Sequence, residues 1–301
     1  TPTPPTTTTS TLIIDSHLHV WTSSFPFINP PPSNLNNNDR ASASSLLQLM
    51  DANNVQKSII VQPSNYMYDH TYVLHVLEQH PTRFNLVMLL NPTLPPQDAV
   101  AQVVQLAKQG CTGIRFNPSL WPKNIEMDDE LGKAVFQVAE ELKLTISFMC
   151  FTGFPSCAGA ITRLAALYPH VDLVVDHFGF PRTDPGSAPN GQSFDDDSFN
   201  LLMKIGKSIP RLNIKISALF RVSSSLVVDD NYSDLLPRFL QLVDVFGSER
   251  LLWGSDFPYV ELHQGYGHTL KTIQDWVIKA GLSDDVYSGV MGRNAKRLFV
   301  R

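Results

Sequence analysis

The chain has 301 residues, 43% hydrophobic and 17% charged, proportions that fit a globular protein with a large core. A formal net charge of −5 with no cluster of Lys and Arg excludes nucleic acid or an anionic membrane surface as the main partner. No apolar run approaches the roughly 18 residues of a membrane span, so the expected partner is a small-molecule substrate, with the oligomeric state left open.

The opening residues 1–11, "TPTPPTTTTST", lack charge and an apolar core and read as a disordered leader. From residue 12 short β-branched runs alternate with helical patterns. "LIIDSHLHV" (12–20) reads as a strand, and "SASSLLQLMDANN" (42–54) as the helix after a Pro- and Asn-rich loop. Then follow "KSIIVQP" with "YDHTYVLHVLEQH", "RFNLVMLLNP" with "PQDAVAQVVQLAKQG", and "CTGIRFNP" with "DDELGKAVFQVAEEL". The second half continues with "LTISFMCF" and "CAGAITRLAALYP", "VDLVVDHFG" and "DDDSFNLLMKIGKSIP", "LNIKISAL" and "YSDLLPRFLQLVDVFG", and "LLWGSDFP" and "HTLKTIQDWVIKAG". Eight strands, each trailed by a helix, give the (β/α)8 TIM barrel count, and continuous apolar strands suit a parallel sheet covered on both faces. No composition shift divides the run, so residues 12–301 read as a single α/β domain.

Cys111, Cys150 and Cys157 form an odd set without metal-like or redox-like spacing. They read as reduced thiols, which points to cytoplasm or an organelle (plastid or mitochondrion) and away from secretion.

In this fold chemistry gathers at the C-terminal ends of the strands. Strand 1 delivers His17 and His19 there, and in an extended strand positions i and i+2 share a side, with Asp15 one step further back on the same face. Strand 4 delivers Arg115 and Asn117, and strand 6 Asp176 and His177. Strand 7 brings Lys215 and Ser217 with Arg221 just beyond, and strand 8 Ser255 and Asp256. The long loops at 22–40 and 179–192, with a shorter one at 259–268, follow strands at that same end, where they would cover a site. The acidic run Asp195–Asp197 reads as a solvated helix N-terminus.

The H-x-H closing strand 1, "DHFG" closing strand 6 and "WGSDFP" closing strand 8, with "GIRFNP" and "LWPKN" around strand 4, resemble the amidohydrolase superfamily. Within it the chain is similar to the amidohydrolase-related, lactonase-like branch. The resemblance implies roles. His17, His19 and Asp256 would hold one divalent metal, zinc first and manganese second. Asp256 would take a proton from the attacking water, and His177 would help polarise the substrate carbonyl. Arg115 and Arg221 would hold a substrate carboxylate. Two departures matter: strand 4 offers Arg115 where binuclear relatives carry a bridging lysine, and strand 5, "TISFMCF", has no histidine. The implied centre is therefore mononuclear, and a metal-free route through the same residues stands beside it.

The expected activity is hydrolysis of a lactone or cyclic ester, carboxylate-bearing, by attack of water with Asp256 as base. One alternative is a metal-dependent decarboxylase, a C–C lyase on the same fold. Another is a non-catalytic barrel with a decayed metal site, in which these side chains would be turned into satisfied structural hydrogen bonds. Arg115 keeps a bland reading as a buried ion-pair partner, and Lys215 is left outside the chemistry.

Overall fold

In the computed structural model, residues 11–36, 39–181, 194–223 and 231–301 are described. All but the last residue of the expected leader, and most of the expected 179–192 loop, lie outside them. The strands are β1 (Ile14–Leu18), β2 (Lys57–Val61), β3 (Phe84–Leu89), β4 (Cys111–Phe116), β5 (Thr145–Phe148), β6 (Leu173–Val175), β7 (Leu212–Ser217) and β8 (Leu251–Gly254). They pair in sequence order as one eight-stranded sheet, parallel throughout. The seam between β8 and β1 closes just past the strand ends. A bridge joins Leu18 to Phe257, the His19 N–H donates to the Phe257 carbonyl at 2.7 Å, and the Asp256 N–H donates to the His17 carbonyl at 2.9 Å. The fold is the expected (β/α)8 barrel.

Eight helices of two turns or more alternate with the strands: α1 (Ala43–Ala52), α2 (Thr71–Gln79), α3 (Pro96–Lys108), α4 (Glu130–Leu142), α5 (Pro155–Leu167), α6 (Asp196–Ser208), α7 (Leu236–Phe246) and α8 (Tyr266–Lys279). Their starts follow local chemistry. Asp129 caps α4 through the Gly132 N–H at 2.8 Å, and Asp195 caps α6 through the Ser198 N–H at 3.0 Å, which accounts for the acidic run. Proline occupies the first turn of α3, α5 and α7, where its missing N–H costs nothing. Each helix lays one apolar stripe on the sheet, as with Leu131, Val135, Phe136 and Ala139 of α4.

After α8 the chain adds a segment for which the alternation gave no expectation: α9 (Asp284–Ser288), a π-type turn (Gly289–Arg293) and α10 (Asn294–Phe299). Ala295, Leu298 and Phe299 pack on Ile14, Ile59, Val61, Val87, Val174 and Leu252, the inward side chains of five strands. The Thr145 hydroxyl donates to the Leu298 carbonyl at 2.7 Å, tying α10 to β5. Gly113 makes room for this plug. A Cβ there would lie 3.1 Å from Phe299 Cε1 and 3.0 Å from the Thr145 carbonyl oxygen. One end of the barrel interior is thus filled by hydrocarbon. Nearer the C-terminal ends of β4 to β7 the buried side chains are the polar Arg115, Ser147, Asp176 and Lys215.

Candidate active site

The register of β1 on β2 jumps: Asp15 stands opposite Ser58 but Leu18 opposite Ile60, so three steps on β1 match two on β2. That bulge re-aims the strand end. His17 and His19 reach the mouth together, their ring centroids 5.2 Å apart. Asp15 does not share their face, contrary to the simple two-residue alternation. Its Oδ1 accepts from the backbone N–H groups of Ser255 (2.9 Å) and His17 (3.1 Å), and its buried carboxyl, beside Tyr266 of α8, is raised to about 6 chiefly by burial. Asp15 holds the seam and shapes the site from behind. Gly254 is equally required, because a Cβ there would lie 2.8 Å from that of His17.

Each imidazole is held through its Nδ1. That of His19 donates to the Val61 carbonyl at 2.8 Å, because a carbonyl only accepts, and this leaves His19 Nε2 as a bare lone pair facing Asp256 Oδ1 at 3.6 Å. That of His177 meets Ser217 Oγ at 2.7 Å, and its ring lies against His17 at 4.4 Å and Phe180 at 4.9 Å. That of His17 meets Lys215 Nζ at 3.0 Å, and His17 Nε2 lies 3.9 Å from Asp256 Oδ1 with no hydrogen-bond partner. Burial, reinforced by Lys215, pushes His17 down to about 4; burial, followed by His17, holds His19 and His177 well below the usual histidine range.

Asp256 follows β8 with φ 60°, and its Oδ2 accepts from Arg221 Nε at 2.9 Å. The Arg221 guanidinium also lies 4.6 Å from the Tyr259 ring centre and 5.0 Å from that of Phe220. Arg221 is the most open member of the group, with 28% of its side chain exposed against 2% for Asp256, so the approach from solvent passes it. His177 (φ 51°) and Ala218 (φ 52°) share the left-handed backbone of Asp256, so β6, β7 and β8 are each followed within two residues by such a residue. Non-glycine residues pay roughly 1–2 kcal/mol for this conformation, and it concentrates at working sites.

Behind the histidines lies a buried charge network. Asp176 Oδ1 is 3.0 Å from Lys215 Nζ and 3.3 Å from His17 Nδ1, and its Oδ2 is 3.3 Å from Arg115 Nη2. Burial alone would raise the Asp176 carboxyl; Lys215, His17 and Arg115 outweigh it and hold it well below its usual range. Arg115 also reaches Met149 Sδ at 2.8 Å and keeps a buried Nε without a partner. It is therefore an ion-pair partner with one donor in reserve. The sequence reading named Asp176 and Lys215 as strand ends but gave them no role. The alternation in "LNIKIS" held the signal: Lys215 and Ser217 fall on the face opposite Leu212, Ile214 and Ile216, and the β6–β7 register leads from Val174↔Asn213 to Asp176 beside Lys215.

One atom each from His17, His177 and Asp256 lie within 4.8 Å of one another, all buried. Two imidazole nitrogens and a carboxylate oxygen, with an orphaned nitrogen among them, suit a single divalent cation with an open position. The structure thus puts His177 in this tight group where the resemblance put His19, which stays at its edge through Asp256. A decayed site would have satisfied the His17 Nε2; it is unsatisfied. The three cysteines are free and buried, and among the described residues no helix is long and apolar enough to cross a membrane.

Comparison with known proteins identifies the family and agrees with the fold. The family described as Amidohydrolase matches residues 14–301. The L-fucono-1,5-lactonase of Burkholderia ambifaria is 26% identical over 264 residues, covering 85% of this chain and 84% of the relative. The 4-sulfomuconolactone hydrolase of Rhizobium radiobacter is 26% identical over 262 residues, covering 84% and 76%. Among solved structures, an amidohydrolase from Burkholderia multivorans with bound zinc superposes with a TM-score of 0.72 at 19% identity, over 95% of this chain and 98% of that one.

Proposed function

The chain belongs to the amidohydrolase family, and from that premise we propose that it hydrolyses a lactone bearing a carboxylate. The observation that carries the reading is the arrangement around Asp256. One carboxylate oxygen is fixed by Arg221, while the other faces His17 and His19 with no donor at hydrogen-bond distance among the described residues. A carboxylate so placed can accept a proton from water. Both relatives named above carry names of lactone-opening enzymes.

The steps follow from the residues. Water lies against Asp256 Oδ1 and gives up a proton as its oxygen bonds to the lactone carbonyl carbon. The developing oxyanion is met by imidazole N–H and by the free Nε–H of Arg115. Collapse breaks the ring C–O bond, and the leaving alkoxide takes the proton from Asp256, so lactone and water become a hydroxy acid. A substrate carboxylate is drawn by Arg221, whose planar fork can form two charge-assisted bonds, while Arg115 adds positive charge from behind. His17, His177 and Asp256 would hold a divalent cation, zinc before manganese, which when bound would polarise the carbonyl and make water easier to deprotonate.

Asp256→Asn should lower hydrolysis of an acidic lactone by ~10³-fold, measured as acid release, with the fold intact by circular dichroism. In 18O water the wild-type product should carry one label in its new carboxylate. Undiminished turnover in the variant would sink the reading, and release of CO2 without label would replace it by C–C cleavage.

A further inference from the structure

The end of β5 and the start of α5 bring two cysteines together. Cys150 stands just past Phe148, the last residue of β5, and Cys157 lies in the first turn of α5. The chain between them turns tightly. The Gly153 N–H donates to the Cys150 carbonyl at 2.9 Å, and the Cys157 N–H donates to the Phe154 carbonyl at 2.9 Å. Both side chains are fully buried, and the two thiols hydrogen-bond to each other.

The thiols are not equivalent. Cys157 sits at the positive end of a helix dipole. The hydrogen bond from Cys150, helped by Ser156, holds its thiol below the usual range, while burial raises Cys150 well above it. One sulfur is thus primed as a nucleophile, with a second thiol beside it to resolve the product.

We propose that Cys150 and Cys157 form a reversible disulfide on exposure to a hydroperoxide, a modification site at the mouth end of the barrel. Access favours so small an oxidant. A cavity of about 400 Å3, lined by Thr152, Pro155 and Gly159 among others, reaches Ser156, whose Oγ lies 3.5 Å from Cys157 Sγ. Hydrogen peroxide fits such a path. A bulky disulfide would have to align its own sulfur with a thiol that has no exposed surface.

The chemistry closes on these two residues. The Cys157 sulfur takes one oxygen of the peroxide, the O–O bond breaks, and the departing hydroxide leaves with the Cys157 proton as water. Cys157 is then a sulfenic acid. The Cys150 sulfur attacks it and loses its proton, the S–O bond breaks, and the second hydroxide leaves with that proton. Two thiols and one peroxide become one disulfide and two waters. The new bond fastens the loop that carries Met149, whose Sδ meets Arg115, and Phe151, whose ring lies 5.3 Å from that of Phe180 and through it against His177.

The test treats the full chain with hydrogen peroxide, removes the oxidant, unfolds the protein and counts free thiols beside the intact mass. Three thiols should fall to one, with the loss of two hydrogens, and dithiothreitol should restore all three. Peptide mapping should place the survivor at Cys111, which opens β4 at the other end of the barrel and whose thiol burial pushes up to about 12. In Cys150→Ser the sequence should stop at a sulfenic acid on Cys157, trapped by dimedone. Wild-type protein that keeps three thiols, gains oxygen without a cross-link or pairs Cys111 overturns the proposal with no variant needed. A folded Cys157→Ser in which peroxide still consumes the Cys150 thiol overturns the order of attack.

Discussion

The two levels of the barrel interior lie within one sheet and differ in almost everything else. At one level Ile14, Ile59, Val87, Val174 and Leu252 close on Phe299 and its neighbours, a dry plug whose contribution is burial. At the other, Arg115, Asp176 and Lys215 stand with His17 and His177 in a buried charge network that gains little net stability from being there. The contrast teaches a division of labour: the plug contributes apolar burial, and the charged layer above it carries the groups assigned to the proposed chemistry. Lys215, whose ammonium lies over the Phe299 ring, is the boundary between the two.

Variants can break this division or sharpen it. The largest effect should come from Asp176→Asn, which leaves Lys215 and Arg115 without their shared counter-charge. We expect a loss of about 3–5 kcal/mol in denaturant unfolding together with most activity. A variant that lost activity alone would show that the network carries no structural burden. Phe299→Ala should cost about 3–5 kcal/mol through the cavity it leaves, while kcat per folded molecule stays near wild type. A collapse of kcat at full folding would mean that the plug sets the geometry above it.

Acid sensitivity offers a third handle, at a histidine outside both levels. His70 Nδ1 meets the Tyr68 carbonyl at 2.9 Å and its Nε2 accepts from the Leu89 N–H at 3.1 Å; burial chiefly lowers it to about 4. Because the folded value lies below the unfolded one near 6.5, the unfolded chain binds the proton first. The stability this group contributes is complete above about 6.5 and is lost as pH falls towards 4, up to about 3 kcal/mol in all. His70→Gln should flatten that part of the stability–pH curve, and an unchanged slope would assign the acid sensitivity elsewhere. The smallest effect belongs to Ile59→Val, which trims one methylene from the plug for about 1 kcal/mol and should leave turnover untouched.

Much of this architecture was legible in the sequence, because periodicity and strand-end placement are local properties. All eight strands lie where apolar β-branched runs predicted them, and His17, His19, His177, Arg221 and Asp256 do meet at one mouth, with Arg115 behind them. What escaped was relational. The bulge at Asp15–Leu18 follows from the register against β2, which no stretch of β1 reveals alone. The Asp176–Lys215–His17 contact crosses three strands and turns on hydrogen-bond direction, which spacing does not encode. The plug came from residues after the eighth helix, past the point where the alternating count was satisfied.

The seam between β8 and β1 is closed by the amides of Asp256 and His19, two residues whose side chains face the chemistry. Local opening there would therefore expose those amides to solvent exchange and scatter the side chains of the candidate site in a single event. Slow exchange at these two positions would measure how long the assembled site persists, and a ligand that binds across the mouth would lengthen that time at the seam before it changed anything at the plug.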